Sequence, residues 1–342
     1  GLTVALRLGR TAFPGKITLV NDGPYHQLLT QMHRVAAGVL PPEKVLLRLE
    51  SVLRWHDVEF VQGKATELKL QERRVTLEDG RELEYDRLVV ALGSQVETFG
   101  VPGVREHALV VQPMSEALRT EQHVTARLYD ATFLSGDERA AALRFVVVGG
   151  GLTGVEVAGE LADRLPQEAQ RLGLPADAVE VVIMEAGSRL LPSLDEQTIE
   201  QAAAILARKR VVVRLETPVT EVIGTESAYD DGATAVVVRN GERVPTRTVI
   251  WAAGVRGHAL VERTFATDAQ GRAYVDEFLR ARDFPEVYVV GDSARAVPHG
   301  QQRPAAPTAQ NAVQQANLVA ANLTEEAKRG ADAKLRPYAA KP

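Results

Sequence analysis

Cysteine is absent from all 342 residues of the chain. This absence excludes a disulfide framework, a thiolate metal site and a redox-active dithiol, because each of them needs the sulfur of cysteine. Long apolar runs are missing too, so we expect neither a membrane-spanning helix nor a signal peptide in this sequence. The net charge is −5, without the basic excess that is typical of a nucleic-acid-binding protein, so we expect no nucleic-acid partner.

The composition is that of a globular protein, with 45% hydrophobic and 25% charged residues. At this length a single core stops growing, so two domains are expected. The strand-like runs are 17–20, 58–61, 75–77, 88–91, 145–148, 179–184, 211–215, 235–239, 249–252 and 287–290. The helical stretches are 43–55, 114–130, 152–171, 195–209 and 308–328. This alternation predicts an α/β fold with largely parallel sheets.

One glycine cluster carries a functional signal. In "RFVVVGGGLTGVEVAGELADRL" a buried strand, 145–148, runs into three glycines, and apolar residues then recur at helical spacing. Such a turn binds the pyrophosphate of a dinucleotide: Gly149 makes the tight turn, Gly151 admits the phosphates, and Gly154 lets helix and strand pack closely. The helix N-terminus adds free N–H groups. A glycine-rich turn in some other α/β protein is the alternative.

An acidic residue follows the second strand of this unit. "VEVVIMEAGSRLLP" ends its apolar run at Glu185, where a carboxylate can accept hydrogen bonds from the ribose hydroxyls. We attribute its long separation from Gly149 to the insert "PQEAQRLGLPADA", an extended helix and loop. The carboxylate predicts NADH over NADPH because it would repel a ribose phosphate, although Arg189 is close enough to soften the discrimination. The alternative is a surface acid at a strand end.

The start of the chain resembles the end of a second nucleotide fingerprint. "GLTVALRLGR" reads as its last glycine, Gly1, and the following helix, and "KITLVND" reads as a strand ending at Asn21. The first strand and first two glycines then lie upstream, so we interpret the chain as a fragment truncated at both ends. The alternative is a natural start at an amphipathic helix.

Three more stretches point to a family: "LVVALGSQVETFGVPGV" (88–104), "VIWAAGVRG" (249–257) and "VYVVGDSARA" (287–296). With the two nucleotide units they resemble the two-dinucleotide-binding-domain flavoproteins, where an NAD(P)H domain is inserted in an FAD domain. The resemblance implies two Rossmann-like domains: FAD-binding parts at 1–112 and 253–330, and an NADH-binding domain at 113–252. In such proteins, the segments in which the chain passes from one domain to the other contact the cofactors, which here implies contacts at Ala91, Gly93, Ala253 and Gly254. Without cysteines, electrons are expected to pass directly from nicotinamide to flavin to a diffusible acceptor.

Within this superfamily the sequence resembles the type II NADH dehydrogenases, single-subunit NADH:quinone oxidoreductases of the respiratory chain. The resemblance is carried by "GPYHQLLTQMHRVAAG" (23–38), "MEAGSRLLPSLDE" (184–196), "VVGDSA" (289–294) and "PTAQNAVQQA" (307–316). It implies FAD and NADH as cofactors, a membrane quinone as acceptor, and a cytoplasmic, peripheral location on the inner face of the cell membrane. Residues 331–342 would begin a truncated membrane-association segment, and a homodimer stays open. Asn21 departs from the family, which usually has a carboxylate there.

The family motifs imply further site residues. Gly291 and Asp292, after the strand "VYVVGD", match the turn that binds the ribityl chain of the flavin. Helix 308–323, with Thr308 as N-cap and Ala309 and Gln310 in its first turn, directs its positive end at the reduced flavin.

Two glutamines are expected to bind the acceptor. Gln314 and Gln315 can donate hydrogen bonds to quinone carbonyls without carrying charge into an apolar tunnel. Gln310 and Gln314 are four residues apart and share one helical face. From the residues alone, a solvated helix face is the simpler interpretation.

Glu156, one turn into the nucleotide-binding helix, matches the family's glutamate near nicotinamide and flavin, where it can hold a carboxamide or relay protons. A solvent-exposed helical glutamate is the alternative. His26 lies in a family motif, but the histidines show no ligand spacing, and we assign no metal.

Two other classes of function remain open at this point. The first is an NAD(P)H-dependent reductase whose acceptor is ferredoxin or another protein. The second is a non-catalytic, nucleotide-sensing protein that has kept the Rossmann units and lost the flavin.

Overall fold

The computed structural model describes residues 1–11, 13–224 and 233–340. The α-helices are α1 (Leu2–Arg10), α2 (Met32–Ala36), α3 (Leu49–Leu53), α4 (Val104–His107), α5 (Met114–Ala131), α6 (Gly136–Ala142), α7 (Leu152–Arg171), α8 (Glu196–Arg208), α9 (Ala259–Thr264) and α10 (Ala309–Arg329). The strands of the first half are β1 (Thr18–Asn21), β2 (Tyr25–Gln27), β3 (Leu46–Arg48), β4 (Glu59–Gln62), β5 (Ala65–Lys69), β6 (Arg74–Leu77), β7 (Glu82–Glu84), β8 (Leu88–Val90), β9 (Ser94–Val96) and β10 (Arg144–Val148). Those of the second half are β11 (Glu180–Met184), β12 (Val212–Arg214), β13 (Val219–Gly224), β14 (Ala233–Val238), β15 (Arg243–Pro245), β16 (Thr248–Trp251), β17 (Val255–Gly257), β18 (Ala273–Tyr274), β19 (Arg280–Ala281), β20 (Phe284–Val289) and β21 (Ala294–Arg295).

The chain divides into two compact units. Unit 1 consists of Gly1–His26, Leu47–Gln95 and the described residues from Val255 onward, and unit 2 consists of Gln27–Leu46 and Val96–Gly254. The predicted NADH-binding domain, 113–252, includes residues 225–232, and the predicted membrane-association segment, 331–342, includes residues 341–342; both of these stretches lie outside the described residues.

Unit 2 is built on a four-stranded parallel sheet in the order β12-β11-β10-β16. After Arg144, the central strand β10 is apolar, as expected of a strand whose two faces are both covered. Phe145 and Val147 pack in the cluster that contains α5 and α7 side chains such as Leu128 and Leu161. The alternate residues, Val146 among them, pack in a second cluster, with the antiparallel sheet β13-β14-β15. The strand thus delivers Gly149, at its carboxyl end, to a fixed position.

Unit 1 contains a second set of parallel strands. β1 pairs with β4, and β8 pairs with β20, both in parallel, while β19 adds an antiparallel edge to β20. β5, β6 and β7 form an antiparallel sheet. Helices α1 and α10 pack against each other, and their apolar faces share one core cluster with the buried residues of β20. The carboxyl ends of β8 and β20 lead into the turns at Gly93 and Gly291.

All ten predicted strands and four of the five predicted helices coincide with observed elements. The helix predicted over 43–55 is wrong in its first half, where β3 occupies Leu46–Arg48 and only α3 is helical. Backbone hydrogen bonds explain the difference: Leu28 N donates to Val45 O, and Leu49 N donates to Pro24 O. This long-range pairing outweighs local helix propensity. The two antiparallel three-stranded sheets also qualify the prediction of largely parallel sheets.

Candidate functional site

The turn after β10 has the backbone geometry that the glycine pattern predicts. Gly149 has φ +110°, and a Cβ there would lie 2.5 Å from Ala252 O. A Cβ on Gly154 would lie 1.9 Å from Gly149 O, so only glycine allows this close approach of helix and strand. A Cβ on Gly151 would meet nothing within 4 Å. The open side of the turn is therefore the side on which a pyrophosphate can approach.

The N-terminus of α7 completes an anion site at this turn. Gly151 is the N-cap residue, no side chain caps the helix, and no acidic residue lies in the first turn. The first amides of a helix have no partner within the helix and carry its positive end. A phosphate is the ligand that this arrangement favours.

Glu185, directly after β11, is fixed beside the same turn. Its Oε2 accepts from Gly150 N at 2.6 Å, and its Oε1 accepts from Gly187 N at 2.6 Å. Each carboxylate oxygen keeps acceptor capacity, so ribose hydroxyls can still bind. Arg189 donates to Glu196 Oε2 at 3.4 Å and to Pro192 O at 3.2 Å. Its guanidinium is therefore engaged away from Glu185, which supports the predicted discrimination against a ribose phosphate.

In unit 1 the turns that follow β8 and β20 are tied together by two serines. Ser94 Oγ donates to Asp292 Oδ2 at 2.9 Å, and Ser293 Oγ donates to Gly93 O at 2.8 Å. Gly93 has φ +71°, and a Cβ there would meet nothing within 4 Å. The carboxyl ends of two parallel strands thus present an open, glycine-lined face, the place where open α/β sheets bind their ligands.

Asp292 is a half-buried carboxyl group in this face. Burial raises its pKa above the usual 3.8, while the hydrogen bond from Ser94 and the charge of Arg272 oppose the rise. Asp292 also lines a small cavity with Arg272, Gly291, Thr308 and Gln315. A half-buried carboxyl beside a cavity can accept further hydrogen bonds from a ligand, and the hydroxyls of a ribityl chain are suitable donors. The residues present fit a flavin dinucleotide.

Helix α10 begins at this cavity. Thr308 is the N-cap, and its side chain accepts from Asn311 N at 3.3 Å, as predicted. Gln310 is exposed, Gln314 is half-buried, and Gln315 is only 3% exposed. Gln315 Oε1 accepts from Gly291 N at 2.7 Å. The glutamine helix and the predicted flavin turn are therefore in direct contact within unit 1.

Glu156 lies on α7 in unit 2 and has a partner that the sequence did not indicate. His33 Nδ1 lies 3.2 Å from Glu156 Oε2, with the His33 side chain 11% exposed and that of Glu156 47% exposed. The next pair along the same helices is Arg34 with Glu160, at 3.3 Å. Glu156 is thus half-open to solvent and held from one side by a buried imidazole.

The remaining predicted cofactor residues occupy turns and helix ends. Gly1 precedes α1, and a Cβ there would lie 3.5 Å from the Cβ of Ala91. Asn21 ends β1 and donates through Nδ2 to Gly23 O at 2.8 Å, so its amide is bound into the following turn. Ala309 opens α10.

In unit 2, Ala253 and Gly254 follow β16. Gly254 O accepts from Glu97 N at 3.0 Å, and a Cβ on Gly254 would lie 3.1 Å from the Phe99 ring. A Cβ on Gly149 would lie 2.6 Å from the Cα of Ala253, so Ala253 packs on the nucleotide turn itself. Roles for these residues in cofactor binding stay predictions.

Sequence reasoning missed three residues of these sites: Ser94, Arg272 and His33. Ser94 and His33 act on partners that are remote in sequence, as Ser94 does on Asp292, 198 residues away, whereas Arg272 is paired locally with Asp268. Sequence periodicity cannot predict a contact between residues so far apart. The family stretch "LTQMHRVAAG" contains His33 and could have indicated it as a site residue, but it does not indicate its partner.

Two units, each with parallel strands that end in glycine turns, are typical of dinucleotide-binding α/β proteins. The model of the family "Pyridine nucleotide-disulphide oxidoreductase" matches residues 1–316. A type II NADH:quinone oxidoreductase of Staphylococcus aureus is 32% identical over 326 residues, which are 94% of this chain and 79% of the relative. The same enzyme from another strain is 33% identical over 309 residues, covering 90% and 75% of the two chains.

Solved structures share the fold. A structure of NDH2 from Plasmodium falciparum in complex with NADH has a TM-score of 0.82 at 18% identity, covering all of this chain and 84% of that one. A ferredoxin reductase from Rhodopseudomonas palustris has a TM-score of 0.77 at 23% identity, covering all of this chain and 76% of that one.

The chain belongs to the pyridine nucleotide-disulphide oxidoreductase family and, within it, to the type II NADH:quinone oxidoreductases. This membership confirms the predicted fold class, the predicted enzyme class of NADH dehydrogenase and the predicted cofactor pair, FAD and NADH. In the part of the chain that the structure describes, no helix has the length and apolarity to cross a bilayer.

Proposed function

We propose that this protein is a non-proton-pumping NADH:quinone oxidoreductase that holds FAD in unit 1 and NADH in unit 2. The main support for the proposal is the hydrogen bond that Gly291 N donates to Gln315 Oε1, because it joins helix α10, with its three glutamines, to the turn that contains Asp292. An amide-rich helix at the flavin turn, in a chain without cysteine, fits a diffusible carbonyl acceptor better than a disulfide substrate.

In unit 2, the nucleotide turn binds and orients NADH. The amides at the start of α7 hold the pyrophosphate, and the open space at Gly151 admits it. Glu185 accepts from the adenosine ribose. Glu156 lies one turn further along α7, where its carboxylate can hold the carboxamide of the nicotinamide.

In unit 1, the residues around Asp292 hold FAD. Asp292 accepts from the ribityl hydroxyls, and the positive end of α10, capped by Thr308, favours negative charge on the ring. When bound, FAD supplies the two-electron chemistry that links nicotinamide and acceptor. The protein contributes binding, orientation and this electrostatic bias.

One proton per turnover must come from solvent, because NADH, a proton and a quinone give NAD⁺ and a quinol. We propose that Glu156 takes up this proton from solvent, since its carboxylate is half-exposed while one of its oxygens lies 3.2 Å from His33 Nδ1. A proton can pass between solvent and this carboxylate without crossing the apolar core.

The acceptor is proposed to meet Gln314, which is half-buried on α10. Gln315, the second glutamine predicted to bind the acceptor, is 3% exposed and accepts from Gly291 N, so we do not propose it as an acceptor contact. Gln310, predicted as a cofactor residue, is exposed on the same helical face as Gln314, and we propose that it also contacts the acceptor. A lipid-soluble quinone requires the enzyme to work at a membrane surface. We therefore propose a peripheral position on the inner, cytoplasmic face of the cell membrane, where NADH is available.

The test of the acceptor site is Gln314→Ala in the flavin-loaded enzyme. Loss of one neutral hydrogen bond is expected to raise the quinone KM about 2- to 10-fold. Flavin reduction by NADH in the absence of quinone should stay unchanged. The matched control is Gln201→Ala, on the exposed face of α8 in unit 2.

Two outcomes would contradict the proposal. If Gln314→Ala leaves quinone kinetics equal to those of Gln201→Ala, the acceptor does not use α10. If the parent enzyme reduces ferredoxin and not a soluble quinone, the acceptor is a protein. A preparation without flavin absorbance would favour a nucleotide-sensing protein instead.

A further inference from the structure

The parallel strands β8 and β20 stop pairing just before the turns that contain Gly93 and Asp292. Among the described residues, the last backbone hydrogen bond between the two strands is the one that Val290 N donates to Val90 O at 3.0 Å. Beyond it, Gly93 has φ +71° and Gly291 has φ +70°, so both backbones leave the extended conformation. Side chains then have to hold the two turns together, because the backbone ladder has ended.

Two serine hydroxyls join these turns reciprocally. Ser94 Oγ, after β8, donates to Asp292 Oδ2 at 2.9 Å, and Ser293 Oγ, after β20, donates to Gly93 O at 2.8 Å. The two hydroxyls differ in what they hold, since Ser293 holds a backbone carbonyl and Ser94 holds a carboxyl group. The Ser293 bond therefore acts on the backbone of the turn, whereas the Ser94 bond acts on a side chain that faces the cavity.

Ser94 is the donor that fixes the Asp292 carboxyl, and among the described residues no other group donates a hydrogen bond to it. Arg272 is the other charged residue that lines the cavity, but its Nε and Nη2 donate to Asp268 Oδ2 at 3.0 and 2.7 Å. Arg295 also faces Asp268, at 3.9 Å. Because the hydroxyl holds Oδ2, Oδ1 keeps its full capacity to accept from a ligand.

We propose that Ser94 is a positioning residue for flavin binding: its hydroxyl holds Asp292 Oδ2 and so directs Oδ1 at the ribityl hydroxyls. This inference rests on the proposed function, in which Asp292 contacts the flavin. The hydroxyl also favours the ionised carboxyl, because a hydrogen bond to a charged acceptor is stronger than one to a neutral acceptor. It thereby opposes burial, which raises the pKa of Asp292.

The first test follows the ionisation of Asp292 in flavin-free protein by carbon NMR of the aspartate carboxyl groups, with Asp292→Ala to assign its signal. In Ser94→Ala the pKa of Asp292 is expected to rise above that of the parent, because a donor to the ionised form is lost. The matched control is Ser293→Ala, which removes a hydroxyl bond between the same two turns but no donor to the carboxyl. In this control the pKa of Asp292 is expected to stay at the parent value.

The second test is the FAD dissociation constant measured as a function of pH. Ser94→Ala is expected to raise it about 3- to 10-fold at pH 7, because the carboxyl is less well directed. It should also move upward the pH below which binding weakens, while Ser293→Ala should leave that pH unchanged. In the Asp292→Ala background, Ser94→Ala is expected to cause little further loss of FAD affinity, since the group through which it acts is absent.

Three outcomes would overturn the inference. They are an unchanged pKa of Asp292 in Ser94→Ala, an equal rise of that pKa in Ser94→Ala and Ser293→Ala, and an equal loss of FAD affinity from Ser94→Ala with and without Asp292→Ala. Failure of the parent to bind FAD would instead overturn the proposed function. The carboxyl titration would still decide whether Ser94 holds Asp292.

Discussion

At the scale of single residues, several polar side chains hold a turn of the fold at positions where we propose that a ligand binds. Glu185 shows this most directly, because its two oxygens accept from the amides of Gly150 and Gly187 and keep further acceptor capacity for the proposed ribose. Asp292 and Gln315 also accept hydrogen bonds at a turn, Asp292 from the Ser94 hydroxyl and Gln315 from the backbone N–H of Gly291. A substitution at such a residue affects both the turn and the ligand, so a test of function has to separate the two.

We predict that Glu185→Gln shifts the nucleotide preference toward NADPH. A carboxylate and a ribose phosphate at ~5 Å repel each other by about 3 kcal/mol with an effective dielectric constant near 20. A half-exposed site keeps about 1 to 2 kcal/mol of this, equivalent to a roughly 10- to 30-fold preference for NADH. The measurement is the ratio of kcat/KM for NADH and NADPH, which cancels damage to the turn that both nucleotides suffer equally.

Glu200→Gln is the control for this prediction. Glu200 lies on the exposed side of α8 in unit 2, so the substitution removes the same charge without changing the contact between Glu196 and Arg189. The ratio is expected to stay near that of the parent. An unchanged ratio in Glu185→Gln as well would mean that Glu185 does not select the nucleotide.

At the scale of elements, Arg164 joins three helices of unit 2. From α7 it donates to Ala37 O, just after α2, at 2.8 Å, to Thr125 Oγ1 on α5 at 2.6 Å, and to Glu168 Oε1 at 2.8 Å. Its side chain is 11% exposed. Because α2 carries His33 and α7 carries Glu156, this contact also fixes the two helices that bring that pair together.

We predict that Arg164→Met destabilises unit 2 by about 2 to 4 kcal/mol, because it removes the donor to the buried Ala37 carbonyl and to the half-buried Thr125 hydroxyl, and it leaves Glu168 without its cation. Thermal unfolding of the purified protein measures the loss. Arg171→Met, at the exposed end of the same helix, should change stability by less than about 0.5 kcal/mol. Similar melting temperatures for the two variants would show that Arg164 does not join the helices.

At the scale of the whole molecule, the sequence predicted what depends on local pattern. β10, Gly149, α7 and Glu185 follow from apolar periodicity, turn chemistry and strand ends, and each lies where it was expected. What it did not predict depends on pairing between distant segments. β3 within the supposed helix 43–55, the His33–Glu156 pair and the Gln315–Gly291 bond all join residues that no local period connects.

At this scale, the Asp292 carboxyl at the proposed flavin site reduces the stability of the flavin-free molecule at neutral pH. The pKa of Asp292 is raised above 3.8, chiefly by burial. Below pH 3.8 the carboxyl is protonated in both the folded and the unfolded protein, and the folded state has its full stability. As pH rises past 3.8, the unfolded carboxyl ionises first, so stability falls until the pH has passed the raised folded pKa.

We therefore predict that Asp292→Asn makes the flavin-free protein more stable at pH 7 than the parent, while weakening FAD binding. Each unit of pKa shift that the substitution removes is equivalent to about 1.4 kcal/mol. Melting temperatures of flavin-free protein between pH 3.5 and 7 should show a parent curve that falls, relative to that of Asp292→Asn, from pH 3.8 upward. Asp283→Asn, an exposed change in unit 1, should follow the parent curve. Parallel curves for the parent and Asp292→Asn would mean that ionisation of Asp292 does not destabilise the folded protein. The assignment of Asp292 to the flavin site would then lose this support.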